Sequence, residues 1–104
     1  MKMAGKTVLI TGSTDGVGRY VAARLAAAGA NVLIHGRDQA RAKTLADEIR
    51  GQGHIEPVFY QADLSSIAGA RQLAAAVLAG HQRLDVFISN AGIGSRSQIG
   101  RAHV

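Results

Sequence analysis

Short β-branched runs alternate with longer alanine-rich stretches along this chain, and the two patterns predict different elements. Thr7-Val8-Leu9-Ile10 is a compact apolar run ended by a glycine turn, as in a strand buried on both faces of a parallel sheet. A helix is predicted from Val17 to Ala28, with Val17, Val21, Leu25 and Ala28 spaced three or four apart on its inner face and Gly29 at C′. Val32-Leu33-Ile34 reads as the second strand. Asp38 can cap a second helix, whose inner face carries Leu45 and Ile49 and which stops at Gly51. Val58-Phe59-Tyr60 gives a third strand. Ser65 or Ser66 can cap a third helix with Ile67, Ala70, Leu73, Ala74 and Val77 on its inner face and Gly80 beyond its end. Val86-Phe87-Ile88 is the fourth strand.

The order β-α-β-α-β-α-β with short connections implies an α/β fold: a Rossmann-type parallel sheet with right-handed crossovers and helices on both faces. Residues 1–93 are assigned to this domain. Residues 94–104 follow neither period and read as an irregular basic tail carrying Arg96 and Arg101.

Composition narrows the chemistry. The 104 residues suffice for one modest domain, and the absence of cysteine excludes a disulfide framework, thiol catalysis and a thiolate metal site. His35, His54, His81 and His103 show no metal-ligand spacing and no paired carboxylates stand out, so no metal site is expected. The net charge of +5 raises the question of a nucleic-acid partner, but the basic residues are scattered and Tyr20, Phe59, Tyr60 and Phe87 are not interleaved with them. No nucleic acid is expected. No apolar run approaches the roughly 18 residues of a membrane span, and the start lacks a signal-peptide stretch. The expectation is a soluble cytoplasmic protein with no membrane partner.

The strongest site is Thr11-Gly12-Ser13-Thr14-Asp15-Gly16-Val17-Gly18, between the first strand and the first helix. Phosphate binding there needs three things, one from each glycine. Gly12 turns the chain sharply, Gly16 lets the backbone approach a pyrophosphate, and Gly18 lets the helix pack closely. The helix start then offers unpaired N–H groups and the positive end of its dipole. Ser13 and Thr14 add hydroxyl donors. The alternative is a tight turn with no ligand, which the strand-turn-helix context disfavours.

The spacing G-x-x-x-G-x-G resembles the short-chain dehydrogenase/reductase family. Asp63-Leu64 follows the third strand, where the family places an adenine-contacting aspartate. Ser89-Asn90-Ala91-Gly92 resembles the family's Asn-Asn-Ala-Gly signature, with serine first. The resemblance covers residues 5 to about 93. It implies hydride transfer between a nicotinamide dinucleotide and a carbonyl or alcohol substrate, a partial Rossmann-type domain truncated after the fourth strand, strand order 3-2-1-4, and a cofactor crevice between strands one and four. By the same resemblance Asn90, Ala91 and Gly92 line the ribose and nicotinamide side. Read from the residues alone, Asp63 is also a helix-terminal carboxylate and Asn90 a turn residue.

The end of the second strand bears on cofactor choice. Gly36 stands where NAD-specific relatives tend to carry aspartate, and Arg37 follows, whose planar fork suits a 2′-phosphate. NADP is favoured over NAD. Against this, Asp15 occupies a loop position where many NADP-using relatives carry a basic residue, and Arg37 also reads as a solvated surface arginine. Asp38 either pairs with Arg37 or serves only as a helix cap.

The family's chemistry uses a serine, a tyrosine and a lysine four residues after the tyrosine. No Tyr-x-x-x-Lys exists here: Arg24 follows Tyr20 at that distance and Leu64 follows Tyr60. No catalytic residue is assigned, and the chain alone is expected to bind NADP weakly without turnover. The fourth strand forms an unprotected edge through which the chain can self-associate. Three readings follow: the cofactor-binding half of a longer enzyme, shortened at the gene or by a change of reading frame; a non-catalytic NADP-binding sensor or regulatory module; and a ligand-free interaction domain working through the exposed strand edge.

Overall fold

Parallel strands buried on both faces need apolar side chains at every position, and the short β-branched runs supply them. The structure, a computed structural model, describes residues 2–90. In chain order the elements are β1 (Thr7–Ile10), α1 (Gly16–Ala27), β2 (Asn31–Gly36), α2 (Gln39–Gly51), β3 (Val58–Gln61), α3 (Ile67–Gly80) and β4 (Val86–Ile88). They form a four-stranded sheet in the order β3-β2-β1-β4, every pair parallel. Val8 lies opposite Val32 and Val86, and Ile10 opposite Ile34 and Ile88. Both the fold class and the strand order agree with the sequence reading. Ala91, Gly92 and the 94–104 tail lie outside the described residues.

Alternate strand residues serve opposite faces. Val8, Ile10, Val32 and Ile34 pack with Ala22, Leu25 and Ala26 of α1 and Ala42, Leu45 and Ile49 of α2. On the other face Leu9 and Leu33 meet Leu73 and Val77 of α3. Asp38 caps α2 by accepting from the Arg41 amide at 3.1 Å, and Ser66, not Ser65, caps α3 by accepting from the Gly69 amide at 3.0 Å. Gly29 follows the end of α1 with φ +100°, a left-handed conformation that suits a C′ glycine.

Two helix faces differ from the periodicity. In α1 the buried residues are Gly18, Ala22, Leu25 and Ala26, while Val17 is 71% exposed. The helix is turned so that Gly18, which has no side chain, meets the β1 turn. In α3 Gly69, Leu73 and Val77 are buried, whereas Ile67 is 74% exposed and Ala70 and Ala74 are also exposed. For the two alanines the reason is an open apolar groove of about 330 Å³ between α3 and β4, floored by Leu9 and walled by Leu73, Val77, Leu78, Leu84 and Phe87. Ala70 and Ala74 border that groove instead of a closed core. Phe87 is 54% exposed at the β4 edge. Among the described residues no helix is long and apolar enough to cross a membrane.

Candidate functional site

In a parallel sheet all strands end on the same side, so the loops after β1, β2, β3 and β4 converge there. The first is the glycine turn. Gly12 takes φ +63° and Gly16 φ +59°, both left-handed values that glycine adopts at low cost. A Cβ on Gly16 would meet nothing within 4 Å, so the backbone there faces open space. A Cβ on Gly18 would run into the Gly12 carbonyl oxygen and lie 2.7 Å from Asn90 Nδ2. Gly18 thus permits close approach to the turn and to Asn90, a more local demand than general packing on the sheet. Asp15 is the N-cap of α1, in extended backbone, but its side chain makes no capping hydrogen bond. The start of α1, with Val17 exposed at its first turn, is left without a side-chain cap, and its amides and dipole suit an anion.

The two hydroxyls fare differently. Ser13 is fully buried, donates to the Ile10 carbonyl at 2.9 Å and accepts from the His35 amide at 2.9 Å. Its proton is engaged inside the fold. Thr14 is buried against the end of β2: a Cβ on Gly36 would lie 2.6 Å from both Thr14 Oγ1 and Cγ2. Any side chain at position 36 would displace Thr14. That gives a steric reason why no carboxylate stands at the end of β2.

Arg37 follows with its side chain 76% exposed, 4.0 Å from Asp63 Oδ1. These two residues, predicted separately, come together across the ends of β2 and β3. Asp63 Oδ1 also accepts from the Ser65 hydroxyl at 2.7 Å and the Ser65 amide at 2.9 Å. The Ser65 hydroxyl first, then its amide and Arg37, hold the Asp63 carboxyl below the ordinary carboxylate range. Asp63 therefore serves the local turn and also faces Arg37. Leu64 is half-buried against the Leu9–Leu33 cluster. Asp38 pairs with Arg41, at 3.4 Å, as well as capping α2.

Asn90 binds two residues distant in the chain, a side-chain hydroxyl and a backbone carbonyl. Its amide N–H donates to Thr11 Oγ1 at 2.9 Å and its Nδ2 to the Gly12 carbonyl at 3.0 Å. It joins the end of β4 to the glycine turn.

Several residues were missed by sequence reasoning. Arg41 Nη1 lies 2.7 Å from Asp15 Oδ2, tying α2 to the glycine loop. Arg19 donates to the Thr14 carbonyl at 3.2 Å and pairs with Glu48 at 3.1 Å. Gly69 admits the Asp63 carbonyl so closely that a Cβ would collide with it. His35, 3% exposed, accepts from the Gly12 amide at Nδ1 (3.0 Å), and its Nε2 lies 2.9 Å from the Ala62 carbonyl. A polar residue closing the apolar run Val32–Ile34 was the signal available for His35.

The profile of the short chain dehydrogenase family matches residues 6–103. The chain is 39% identical over 94 residues to human dehydrogenase/reductase SDR family member 13, covering 89% of this chain and 25% of that protein. It is 35% identical over 92 residues to human retinol dehydrogenase 13, covering 86% and 27%. Among solved structures it resembles the Pseudomonas aeruginosa RhlG/NADP active-site complex, with a TM-score of 0.79 and 38% identity over 88% of this chain and 36% of that one. A short chain dehydrogenase from Shigella flexneri complexed with NADP gives a TM-score of 0.79 at 30% identity, covering 86% and 38%. The chain thus spans about a quarter of these two curated relatives.

Proposed function

Because the chain belongs to the short-chain dehydrogenase/reductase family, whose members bind a nicotinamide dinucleotide, we propose that its glycine loop and the ends of β2, β3 and β4 bind NADP(H) in preference to NAD(H). The observation that carries this reading is the junction of Gly36, Thr14 and Arg37. A side chain at 36 has no room beside Thr14, and an exposed guanidinium follows at once. A carboxylate there would accept from the ribose 2′-OH of NAD, whereas a guanidinium can donate two charge-assisted bonds to a 2′-phosphate.

The donor set fits the cofactor. Gly12, Gly16 and Gly18 shape the turn, and the uncapped start of α1 at Val17 receives the pyrophosphate. Thr14 borders the 2′-phosphate position, and Asp63 and Leu64 border the adenine. Asn90, with Ala91 and Gly92 outside the described residues, takes the ribose and nicotinamide side. Asp15 serves through its pairing with Arg41 and Ser13 through the integrity of the turn. When bound, the cofactor supplies or accepts the hydride exchanged with a carbonyl or alcohol substrate in the whole enzyme. The 104 residues contain no Tyr-x-x-x-Lys, which supports nucleotide binding without turnover by this chain on its own. The exposed β4 edge around Phe87 supports self-association of the isolated chain.

Titration of the chain with NADPH and NADH, followed by nucleotide fluorescence, tests the reading. NADPH is expected to bind about tenfold to a hundredfold more tightly, the worth of charge-assisted bonds of roughly 1.5–3 kcal/mol, and Arg37→Ala should abolish that preference. Equal binding of the two nucleotides, with Arg37→Ala leaving NADPH affinity unchanged, would overturn it.

A further inference from the structure

Among the described residues, His35 is the one buried side chain that can take up a proton near neutral pH. It stands at the end of an apolar strand and its ring spans two loops of the site. Nδ1 lies 3.0 Å from the Gly12 amide nitrogen, and Nε2 lies 2.9 Å from the Ala62 carbonyl oxygen. An amide can only donate and a carbonyl can only accept. The neutral ring with its proton on Nε2 is therefore the protonation state that satisfies both partners. A second proton, on Nδ1, would point at the Gly12 N–H and set donor against donor.

We propose that His35 is a positioning residue for dinucleotide binding: its neutral ring fastens the glycine turn to the end of β3, and protonation releases Gly12 and weakens cofactor affinity in acid. This rests on reading the glycine loop as the nucleotide cradle. The backbone of residue 35 is held separately, its carbonyl accepting from the Ser13 amide at 2.8 Å and its amide donating to Ser13 Oγ at 2.9 Å. Loss of the ring's bond therefore acts on Gly12 without uncoupling β2 from the loop.

Burial pushes the ring below its ordinary value of 6.5, opposed by the bond to Ala62. The charged and titratable groups on the adjoining elements are otherwise engaged. From the glycine loop and α1, Asp15 pairs with Arg41 and Arg19 with Glu48. From β2 and the turn after β3, Arg37 faces Asp63. Tyr60, the register partner of His35 on β3, bonds His81 at 2.8 Å through its hydroxyl. β1 has no titratable side chain, and α3 sends Leu73 and Val77 to this face. The ring therefore responds to proton concentration through its own two bonds.

The test uses the 104-residue chain. In the ligand-free protein, nitrogen NMR should show His35 protonated on Nε2 and titrating below 6.5, with the Gly12 amide shifting along the same curve. NADP⁺ affinity is then measured by calorimetry between pH 7.5 and 5 for the wild type and for His35→Asn, whose Oδ1 can accept from Gly12 but cannot titrate. The wild-type Kd should rise about fivefold to tenfold in acid, the worth of one hydrogen bond, relative to the His35→Asn profile. Ionisation of the cofactor's own phosphate affects both proteins equally and cancels. Parallel profiles, or a His35 ring titrating at its ordinary value with the Gly12 amide unmoved, would overturn the inference alone. Absence of NADP⁺ binding at every pH would instead refute the nucleotide reading, and this inference with it.

Discussion

Gly18→Ala is the sharpest probe of how the candidate site is built. A Cβ at this position collides with the Gly12 carbonyl oxygen, and lies 2.7 Å from Asn90 Nδ2 and 3.0 Å from Gly12 C. Ordinary contact begins at 3.4 Å, so the Asn90 amide alone must retreat by about 0.7 Å. That retreat breaks its 3.0 Å bond to the Gly12 carbonyl. Overpacking a tight contact costs about 1–3 kcal/mol. The lost bond adds about 0.5–1.5 kcal/mol. Alanine's better helix propensity offsets about 0.5–1 kcal/mol of this, because Gly18 sits within α1 and outside the left-handed region that Gly12 and Gly16 occupy. The net loss is about 0.5–4 kcal/mol, centred near 2, which for a domain of this size lowers Tm by roughly 10 °C. Gly51→Ala is the matched control, since a Cβ there meets nothing within 4 Å and only the propensity gain remains. Thermal unfolding by circular dichroism reads both variants. A Gly18→Ala protein melting at or above the wild type would refute the close-approach account of the glycine turn.

Other expectations follow from packing and charge. Leu45→Ala removes a fully buried side chain beneath α2 and should cost about 2–5 kcal/mol, read as a lower denaturant midpoint at unchanged m. The Asp85 carboxyl accepts from the Thr7 amide at 2.8 Å, and that bond first, then Arg83, holds it below its ordinary value of 3.8. Its contribution to stability is therefore present above 3.8 and is lost as pH falls through the lower folded-state value; in Asp85→Asn this acid-dependent part should be missing from a pH series of unfolding curves. For His35 the unfolded chain takes up the proton first, so stability should begin to fall as pH drops below 6.5 and level off below the folded-state value, a slope absent from His35→Asn.

Much of the fold is written locally. A parallel strand buried on both faces must be apolar throughout, so Val8-Leu9-Ile10 and Val32-Leu33-Ile34 are recognisable without any knowledge of their neighbours; Val86-Phe87-Ile88 carries the same apolar signature although it lies at the open edge of the sheet. The caps at Asp38 and Ser66 and the glycine at 29 are equally local, because a helix end is satisfied by residues within a turn of it. The strand order came from resemblance to the family and agrees with the observed sheet. Helix rotation was less legible. Val17 fits the apolar period of α1 yet is exposed, because the demand for Gly18 at the β1 turn sets the rotation of the helix. Ile67 misleads in the same way, since Gly69 is the residue that must meet the Asp63 turn.

The sequence by itself determined the elements, the glycine turn and the residue types gathered around it, since each depends on neighbours within a few positions. Only the tertiary structure decided what those residues do for one another. His35 reaches Gly12 and Ala62, 23 and 27 positions away, and Asn90 reaches Gly12 across 78. Hydrogen bonds at such separations exist only once the parallel sheet has brought the four strand ends to one side. Arg37 opposite Asp63, Arg41 on Asp15 and Thr14 filling the space beside Gly36 have the same origin. Convergence of strand ends is a property of the assembled sheet, and no local pattern of residues encodes which loop tips will touch.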